Sequence, residues 1–335
     1  MSELHKFLFD GMPVRGMIVR LTDAWQEILA RRASNTATGA YPPAVAELLG
    51  EMTAAATLMQ SNIKFNGALI LQIFGDGPVK VAVAEVKPDL SLRATATVTG
   101  EIADDARLPD MVNVNNKGRC AITLDPKNRV PGQQPYQGVV PLFGDRGEKL
   151  GKVSEVLQHY MLQSEQLDTT LVLAADDKTA AGLLIQRLPV KGEGNLEGAA
   201  GAAGAAHDAA HEDQIGLNED YNRISILASS LTRDELLTLD IETILRRLFW
   251  EEKLLRFDPQ AGMLGPHFAC TCSRERVTGM IRSLGVEEAE SIIAERGDIE
   301  VGCDFCGKQY RFDVVDAAQI FRPPGDQLPA SPVVQ

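Results

Sequence analysis

Four of the five cysteines lie close together near the C-terminal end of this 335-residue chain. Cys270 and Cys272 form a Cys-x-Cys pair, and Cys303 and Cys306 form a Cys-x-x-Cys pair after thirty intervening residues. Four thiolates that converge from two short pairs satisfy the tetrahedral coordination that zinc prefers in closed protein sites. Gly307, directly after the last cysteine, lets the chain turn so that backbone N–H groups point at sulfur. The spacing therefore predicts one zinc ion held by these four cysteines.

A four-cysteine zinc site can be purely structural or can respond to oxidation, and the spacing leaves both interpretations open. A structural site, as in a zinc ribbon, is the usual outcome. Two features favour a sensor. Cys-x-Cys is less expected than Cys-x-x-Cys in ordinary ribbons, and each pair is close enough in sequence to oxidise locally. Oxidation would remove the ligands, release the metal and destabilise a module of only about 60 residues.

The remaining cysteine and the histidines do not indicate a second site. Cys120 lies in a predicted strand, where a free cysteine usually acts as a small buried hydrophobe. His207 and His211 have i, i+4 spacing, but they lie in a Gly/Ala tract where solvated side chains are expected. His267 is close to the cysteines and is expected to be a bystander, because four thiolates complete the coordination. No histidine has a recognisable nucleophile partner, so no enzyme active site is predicted.

The N-terminal part, residues 1–189, is predicted to be an α+β domain, because helices and strands mix without a regular βαβ repeat. Gly75-Asp-Gly-Pro78 is expected to join two of its strands in a hairpin. Thr22 is expected to cap the first helix, and Pro42 and Pro43 suit the start of the second. The predicted helices are 22–32, 44–60 and 152–163, and the predicted strands are 63–74, 79–86, 92–99, 120–124, 138–142, 169–175 and 182–188.

Two linker segments are predicted next. Residues 190–213 are rich in Gly and Ala and are predicted to be a flexible linker. Residues 214–262 are predicted to be a helical linker region, with helical structure from about Asn218 to Phe257 and capping-box spacing at Thr232 and Glu235. Five apolar residues at i, i+3, i+4, i+7 and i+8 form what we call the 241–249 face: Ile241, Ile244, Leu245, Leu248 and Phe249. The segment cannot bury this face alone, so it should lie against the first domain or a partner.

Residues 263–322 are predicted to form the small zinc-binding module. Ser273 is expected to cap a helix that ends near Ser283, and a second helix, 287–295, should end at Gly297. Strands are predicted at 299–301 and 309–312, on either side of the second cysteine pair. Residues 323–335 form a proline-rich tail that is predicted to be disordered.

Longer stretches around the cysteines resemble one protein family. Gly265-Pro-His-Phe-Ala-Cys-Thr-Cys-Ser-Arg-Glu-Arg-Val277 and Ile299-Glu-Val-Gly-Cys-Asp-Phe-Cys-Gly-Lys-Gln-Tyr-Arg-Phe-Asp313 are similar to the heat-shock protein 33 family, the redox-regulated holdase chaperones of bacteria. The N-terminal part is similar through Val14-Arg15-Gly16, Tyr41-Pro42, Leu48-Leu49-Gly50-Glu51, Gly75-Asp-Gly-Pro78 and Gln137-Gly138-Val139-Val140. The resemblance covers nearly the whole chain, and the Gly/Ala tract is its main departure.

The resemblance implies an ATP-independent holdase that binds unfolding proteins under oxidative and heat stress. The reduced, zinc-bound protein would be compact and inactive. Oxidants such as peroxide or hypochlorous acid would form Cys270–Cys272 and Cys303–Cys306 disulfides and expel zinc. The zinc module would then unfold and destabilise the helical linker, which would expose the 241–249 face to client proteins. Members of the family also form homodimers when activated.

Composition and charge bear on the remaining function classes. The net charge of −13 argues against nucleic-acid binding and against docking on an anionic membrane. No secretory signal is visible at the N-terminus, so a cytoplasmic protein is expected. Two rival functions, a thiol–disulfide oxidoreductase and a zinc-ribbon nucleic-acid module, fit less well. The first would place Cys-x-x-Cys at a helix start, and the second would usually be basic, whereas residues 266–322 carry 7 Lys/Arg against 10 Asp/Glu.

Overall fold

A computed structural model describes residues 1–35, 38–128, 132, 134–188, 216 and 218–322. These residues form two six-stranded sheets, a two-stranded hairpin and the helices around them. The mixture of helices with mainly antiparallel strands confirms the predicted α+β class. The predicted linker 190–213, with His207 and His211, and the predicted tail 323–335 lie outside the described residues. The predicted domain boundaries stay predictions.

The first sheet is built from both ends of the described chain. Its strands are β1 (Glu3–Phe9), β2 (Val14–Leu21), β8 (Thr169–Ala175), β9 (Ala180–Arg187), β10 (Leu254–Arg256) and β11 (Gln260–Ala261). The order is β10-β1-β2-β9-β8, and β11 also pairs with β1. The sequence patterns assign no strand before residue 63, so β1 and β2 are additional elements that the structure reveals. Both strands bury side chains on their two faces, which removes the alternation that reveals a half-exposed strand.

The second sheet contains the predicted hairpin. Its strands are β3 (Gly67–Phe74), β4 (Val79–Val86), β5 (Ser91–Val98), β6 (Arg119–Pro126), β7 (Tyr136–Pro141) and β12 (His267–Phe268). The order is β12-β5-β4-β3-β6-β7, and only the β12–β5 pair is parallel among these pairings. β3 begins at Gly67 and not at Ile63 as predicted, because residues 63–66 turn the chain from the preceding helix into the sheet.

Helices of the N-terminal part fill the space between and beside the sheets. They are α1 (Asp23–Ala33), α2 (Pro43–Asn62), α3 (Leu108–Val112) and α4 (Val153–Glu165). α2 contacts strands of both sheets, and 14 of its 20 residues are buried, so it is the centre of the main core. The predicted cap of α1 is wrong in detail. Ser2 Oγ, not the Thr22 side chain, accepts the backbone N–H groups of Thr22 at 3.0 Å and Ala24 at 3.2 Å.

The helical linker consists of α5 (Glu219–Ser229), α6 (Arg233–Thr238) and α7 (Ile241–Phe249). The predicted capping box is confirmed, since Glu235 N donates to Thr232 Oγ1 at 3.3 Å and Thr232 N donates to Glu235 Oε2 at 3.0 Å. The prediction that helix continues to Phe257 is wrong. Residues 254–256 form β10 instead, because they hydrogen-bond along β1, which would otherwise leave a free sheet edge.

The three linker helices cover one face of the first sheet. Every residue of the 241–249 face is at most 3% exposed. The Phe249 ring lies edge-on to Phe9 at 5.0 Å between centroids and is 6.1 Å from the ring of Phe7. This second apolar core joins the helices to β1, β2, β8 and β9, so the expectation that the face lies against the first domain is confirmed.

The C-terminal region contains α8 (Arg274–Leu284), α9 (Val286–Arg296), β13 (Ile299–Gly302), β14 (Gln309–Phe312) and α10 (Val314–Ile320). The predicted helices and strands are confirmed, whereas α10 is an additional helix that Asp313 caps through the backbone N–H of Asp316. The buried core of this region is small and comprises Ile281, Ala289, Ile299, Tyr310, Phe312, Ala317 and Ile320. Among the described helices, none is long and apolar enough to cross a lipid bilayer.

Candidate metal centre

The two cysteine pairs are brought together by three short elements. Cys270 and Cys272 follow β12, which pairs with β5, so the first pair is anchored to the second sheet. Ser273 Oγ then accepts the N–H of Arg276 at 3.3 Å, which starts α8 immediately after the pair. Cys303 and Cys306 lie in the turn between β13 and β14. That location is not the strand-to-helix position expected for an oxidoreductase motif.

The four sulfur atoms form one compact group. Cys270 Sγ is 3.6 Å from Cys303 Sγ, and Cys272 Sγ is 3.4 Å from Cys306 Sγ. All four sulfurs lie within 4.8 Å of one another, and none is in a disulfide. Tetrahedral zinc with Zn–S bonds of about 2.3 Å would separate the sulfurs by about 3.8 Å. The described side chains therefore fit a single zinc ion, and His267 is not part of the group.

The turn that carries the second pair has the geometry of a metal knuckle. Gly307 N donates to the carbonyl oxygen of Cys303 at 2.8 Å, and Cys303 N donates to that of Lys308 at 3.0 Å. Gly307 adopts φ +71°, a left-handed conformation in which a residue without a Cβ avoids steric strain. The turn predicted at this glycine is therefore present.

The thiols do not share one electrostatic environment. Burial alone would raise the pKa of Cys272, but the Tyr310 hydroxyl donates to its sulfur at 3.1 Å, and with the neighbouring sulfurs lowers it to about 7. Burial raises the pKa of Cys303 and of Cys306. Metal ligands must be thiolates, so a bound cation would supply the positive charge that keeps these buried sulfurs deprotonated.

Two side chains from the N-terminal part contact the second cysteine loop, and a third contacts the strand before the first cysteine pair. The Arg93 guanidinium carbon lies 4.2 Å from the centroid of the Phe305 ring, inside the second cysteine pair. Thr95 Oγ1 donates to the carbonyl oxygen of Asp304 at 3.0 Å, and the guanidinium of Arg31 lies over the ring of Phe268. Sequence reasoning missed these contacts. Of the residues in these contacts, Phe305 lies within the recognised cysteine motif, but no spacing rule links it to an arginine on β5.

The other predicted residues lie apart from the metal centre. Cys120, on β6, is 1% exposed, and burial raises the pKa of its thiol to about 12, which suits a buried hydrophobe. The 241–249 face is buried against the first sheet. It is therefore closed in this conformation, and its predicted contact with clients requires the linker to move.

The fold and the site together define a class of protein: an α+β body that carries a small C-terminal module with four thiols that could hold a metal ion. Residues 2–313 match the family model described as Hsp33 protein. The 33 kDa chaperonin of Chromobacterium violaceum is 43% identical over 320 residues, which cover 96% of this chain and 94% of that protein. The 33 kDa chaperonin of Methylobacillus flagellatus is 41% identical over 321 residues, with coverage of 96% and 94%. The chain belongs to the Hsp33 family.

A solved structure shows the same fold. The crystal structure of the 33 kDa chaperonin of Thermotoga maritima, titled a heat shock protein 33 homolog, matches with a TM-score of 0.69. The match covers 95% of this chain and 97% of that chain at 20% sequence identity. The resemblance drawn from the cysteine motifs is therefore confirmed at the level of family and fold.

Proposed function

We propose that this protein is an ATP-independent holdase chaperone that is inactive when reduced and zinc-bound, and is activated by disulfide formation with loss of zinc. Membership of the Hsp33 family supports the chaperone function. The observation that carries the redox proposal is the group of four free thiols within 4.8 Å of one another, in a module with only seven buried apolar core residues.

In the reduced state, Cys270, Cys272, Cys303 and Cys306 would hold one zinc ion. When bound, the ion supplies the cross-link and the positive charge that a core of this size lacks. The chain's own residues keep the linker closed at the same time. The 241–249 face stays buried under the first sheet, so no client surface is open there.

The polypeptide connects the cysteines to the linker through a short series of docked segments. After α7, the chain pairs with β1 as β10 and β11, forms a 3₁₀ turn at Gly262–Leu264, and pairs with β5 as β12. Cys270 follows β12 by two residues. Because β12 has only two residues, loss of the structured cysteine loops removes much of what holds this series in place. We infer that unfolding spreads along it toward α7.

Oxidation acts on the thiolates themselves. Each disulfide forms when two thiolates give two electrons to one peroxide molecule, which takes up two protons and leaves as two waters. The proposed pairs are Cys270–Cys272 and Cys303–Cys306. Two such steps remove all four ligands, and the module then loses the interaction on which its folding depends.

The surface proposed for clients is the apolar contact between the linker and the first sheet. It has two sides, the 241–249 face and the buried side chains of β1, β2 and β9, including Phe7, Ile18 and Ile185. Separation would expose both sides, and apolar surface of this kind binds unfolded chains without sequence specificity.

The remaining parts of the proposal follow the sequence expectations. The protein would act without catalysis, would form a homodimer on activation, and would operate in the cytoplasm on unfolded or partly folded proteins. The net charge of −13 disfavours nucleic acid and anionic membranes as partners.

Light scattering from a heat-unfolding client protein tests the function directly. The protein is added either reduced and zinc-loaded or treated with peroxide at raised temperature. We expect only the oxidised form to suppress aggregation. Equal suppression by both forms would mean that zinc is structural and would refute the regulation, and suppression by neither would refute the chaperone function.

One control tests reversibility and two assays test the rival functions. Reduction of the oxidised protein with dithiothreitol in the presence of zinc should restore the inactive form. Insulin reduction tests for an oxidoreductase and salt-dependent RNA binding tests for a nucleic-acid module. Both assays should be negative.

A further inference from the structure

Arg93 occupies an unusual position between the second sheet and the metal module. It lies on β5, where its Nε and Nη2 donate to Glu85 Oε2 at 3.0 and 2.5 Å. Both side chains of this ion pair are largely buried, at 17% and 11% exposure. The outer face of the same guanidinium lies over the Phe305 ring, 4.2 Å from its centroid. Arg93 therefore contacts its own sheet and the second cysteine loop at once.

The guanidinium also faces the cavity beside the first cysteine pair. Burial alone would lower the pKa of Arg93, but the hydrogen bonds and charge of Glu85 raise it. Arg93 lines a cavity of about 400 Å³ together with Thr271, which lies between Cys270 and Cys272, and with Arg276. One cation thus lies between both cysteine-bearing loops.

The net charge of the cysteine centre next to Arg93 changes on oxidation. Four thiolates around one divalent cation carry a net charge of −2, whereas the two disulfides formed on oxidation are neutral. A partly buried anion attracts a nearby cation more strongly than it would in bulk water, and that attraction disappears with the anion. The cation–π contact with Phe305 does not depend on the state of the sulfurs.

We propose that Arg93 is a positioning residue for the metal centre, whose positive charge adds an attraction between β5 and the module that lasts only while the cysteines are thiolates. This inference rests on the proposed function and deepens its regulation. Arg93 stabilises the reduced centre electrostatically from its position beside Phe305 and Thr271. When the sulfurs become disulfides, Arg93 retains Glu85 and its contact with Phe305 but loses the attraction to the thiolates, so the module is held less firmly on β5.

The redox step that the inference requires is balanced. The reduced centre gives four electrons to two peroxide molecules, four protons are taken up from solvent, and four waters leave. Two disulfides and one free divalent cation remain. Peroxide is the only co-reactant.

The test compares full-length variants in the reduced, zinc-loaded state. Zinc release to a chromogenic chelator is followed under limiting peroxide, at low and high salt, for the wild type, Arg93→Gln, Arg93→Lys and Arg31→Gln. Arg31 is the matched control, because its guanidinium also lies over an aromatic ring of this interface, Phe268, at 4.6 Å from the ring centroid. Amide exchange of His267 and Ala269, which donate to the carbonyls of Leu90 and Leu92, reports docking without reference to chaperone activity.

We expect Arg93→Gln to release zinc roughly tenfold faster than the wild type and to lose most of the salt dependence. Arg93→Lys should recover part of the difference, and Arg31→Gln should stay within about twofold of the wild type. Glu85→Gln is the control for a folding defect caused by loss of the Arg93–Glu85 ion pair. It removes the other half of the ion pair but keeps the cation, so its release should be no faster than that of the wild type.

Equal acceleration in Arg93→Gln and Glu85→Gln would assign the effect to the fold of the ion pair and overturn the inference. So would a rate unchanged in Arg93→Gln, or equal effects of Arg93→Gln and Arg31→Gln. A wild type that binds no zinc would instead refute the proposed function, and the inference with it. That outcome is distinguishable because it appears before any variant is compared.

Discussion

The guanidinium of Arg20 donates a hydrogen bond to the backbone carbonyl of Leu239, at 2.9 Å, across the boundary between the first sheet and the linker. The same guanidinium donates to the carbonyls of Leu236 at 3.1 Å and Leu237 at 2.5 Å. These carbonyls lie at the C-terminal end of α6, where helix carbonyls lack partners within the helix. Arg20 on β2 therefore caps a linker helix with a side chain from the surface that the helix covers.

Removal of this cap should loosen the linker while the sheet stays intact. Arg20→Gln leaves carbonyls at the end of α6 unsatisfied, at a cost of about 1–3 kcal/mol. We expect faster amide exchange in α6 and α7, and partial holdase activity in the reduced protein. Arg20→Lys keeps the charge but not the planar fork, so it should recover only part of the protection. Unchanged exchange in Arg20→Gln would show that the cap does not hold the linker.

Two isoleucines of the linker provide a matched test of its buried face. Ile244 on α7 is 1% exposed, whereas Ile226 on α5 is 72% exposed. Ile244→Ser removes buried apolar atoms and buries a hydroxyl, which should destabilise the docked linker by about 3 kcal/mol. The reduced variant should then suppress client aggregation, and Ile226→Ser should behave like the wild type. Similar activity in the two variants would contradict the idea that linker docking hides the client surface.

Removal of Cys272 and removal of Cys120 should have different effects on zinc content. Cys272→Ala takes away one of four ligands and the acceptor of the Tyr310 hydroxyl. Metal content measured by atomic absorption should fall from one zinc per chain toward zero, and α8 to α10 should lose protection from proteolysis. Cys120→Ala removes a buried thiol from β6 and should keep full zinc content and redox response. Loss of metal from the Cys120 variant would mean that the metal site includes more than the C-terminal module.

The elements around the cysteines could be predicted because local signals specify them. Ser273, Gly285 and Gly297 mark helix ends, and the 241–249 face repeats at helical spacing. β1 and β2 could not be predicted, since a strand buried on both faces has no alternation, and β10 depends on an edge supplied by distant residues. The same limit applies to the site. The four ligands lie in two local motifs, whereas Arg93 meets them only through the tertiary fold.

Glu51 should make stability depend on pH. Burial and the nearby Glu47 raise its pKa from the ordinary 4.5 to about 8, against the lowering effects of Lys152 and Arg233. The folded state therefore holds the proton more tightly than the unfolded state, and this contribution to stability is present below pH 4.5 and is lost as pH rises through about 8. Glu51→Gln should raise the free energy of unfolding at pH 8 by roughly 1–3 kcal/mol and leave it little changed at pH 4.

Urea unfolding at pH 4, 6 and 8 measures this difference. Glu47→Gln is the control, because Glu47 is more exposed and forms an ion pair with Arg233 at 3.2 Å. Its removal should recover at most part of the gain at pH 8, because burial is the larger cause of the raised pKa of Glu51. A difference between Glu51→Gln and the wild type that stays constant from pH 4 to pH 8 would exclude a buried, protonated carboxyl.

The disulfide pairing determines whether oxidation opens the C-terminal module or stabilises its folded form. In the reduced structure, sulfurs of different pairs are in contact, Cys270 with Cys303 at 3.6 Å and Cys272 with Cys306 at 3.4 Å. Disulfides between those partners would staple the module in its folded form. The proposed local disulfides leave the two loops free of each other, and short loops close with little entropic cost once the module opens. We therefore expect the active form to contain Cys270–Cys272 and Cys303–Cys306.

Trypsin separates the two possibilities, because residues 257–274 and 297–308 form two peptides that each contain one cysteine pair. Local disulfides give two separate peptides, each lighter by two hydrogen atoms, in a non-reducing digest analysed by mass spectrometry. Cross-linked loops give one joined species. If the joined species accompanies full holdase activity, unfolding of the module is not the activating step, and the linker must open while the cysteine loops stay together.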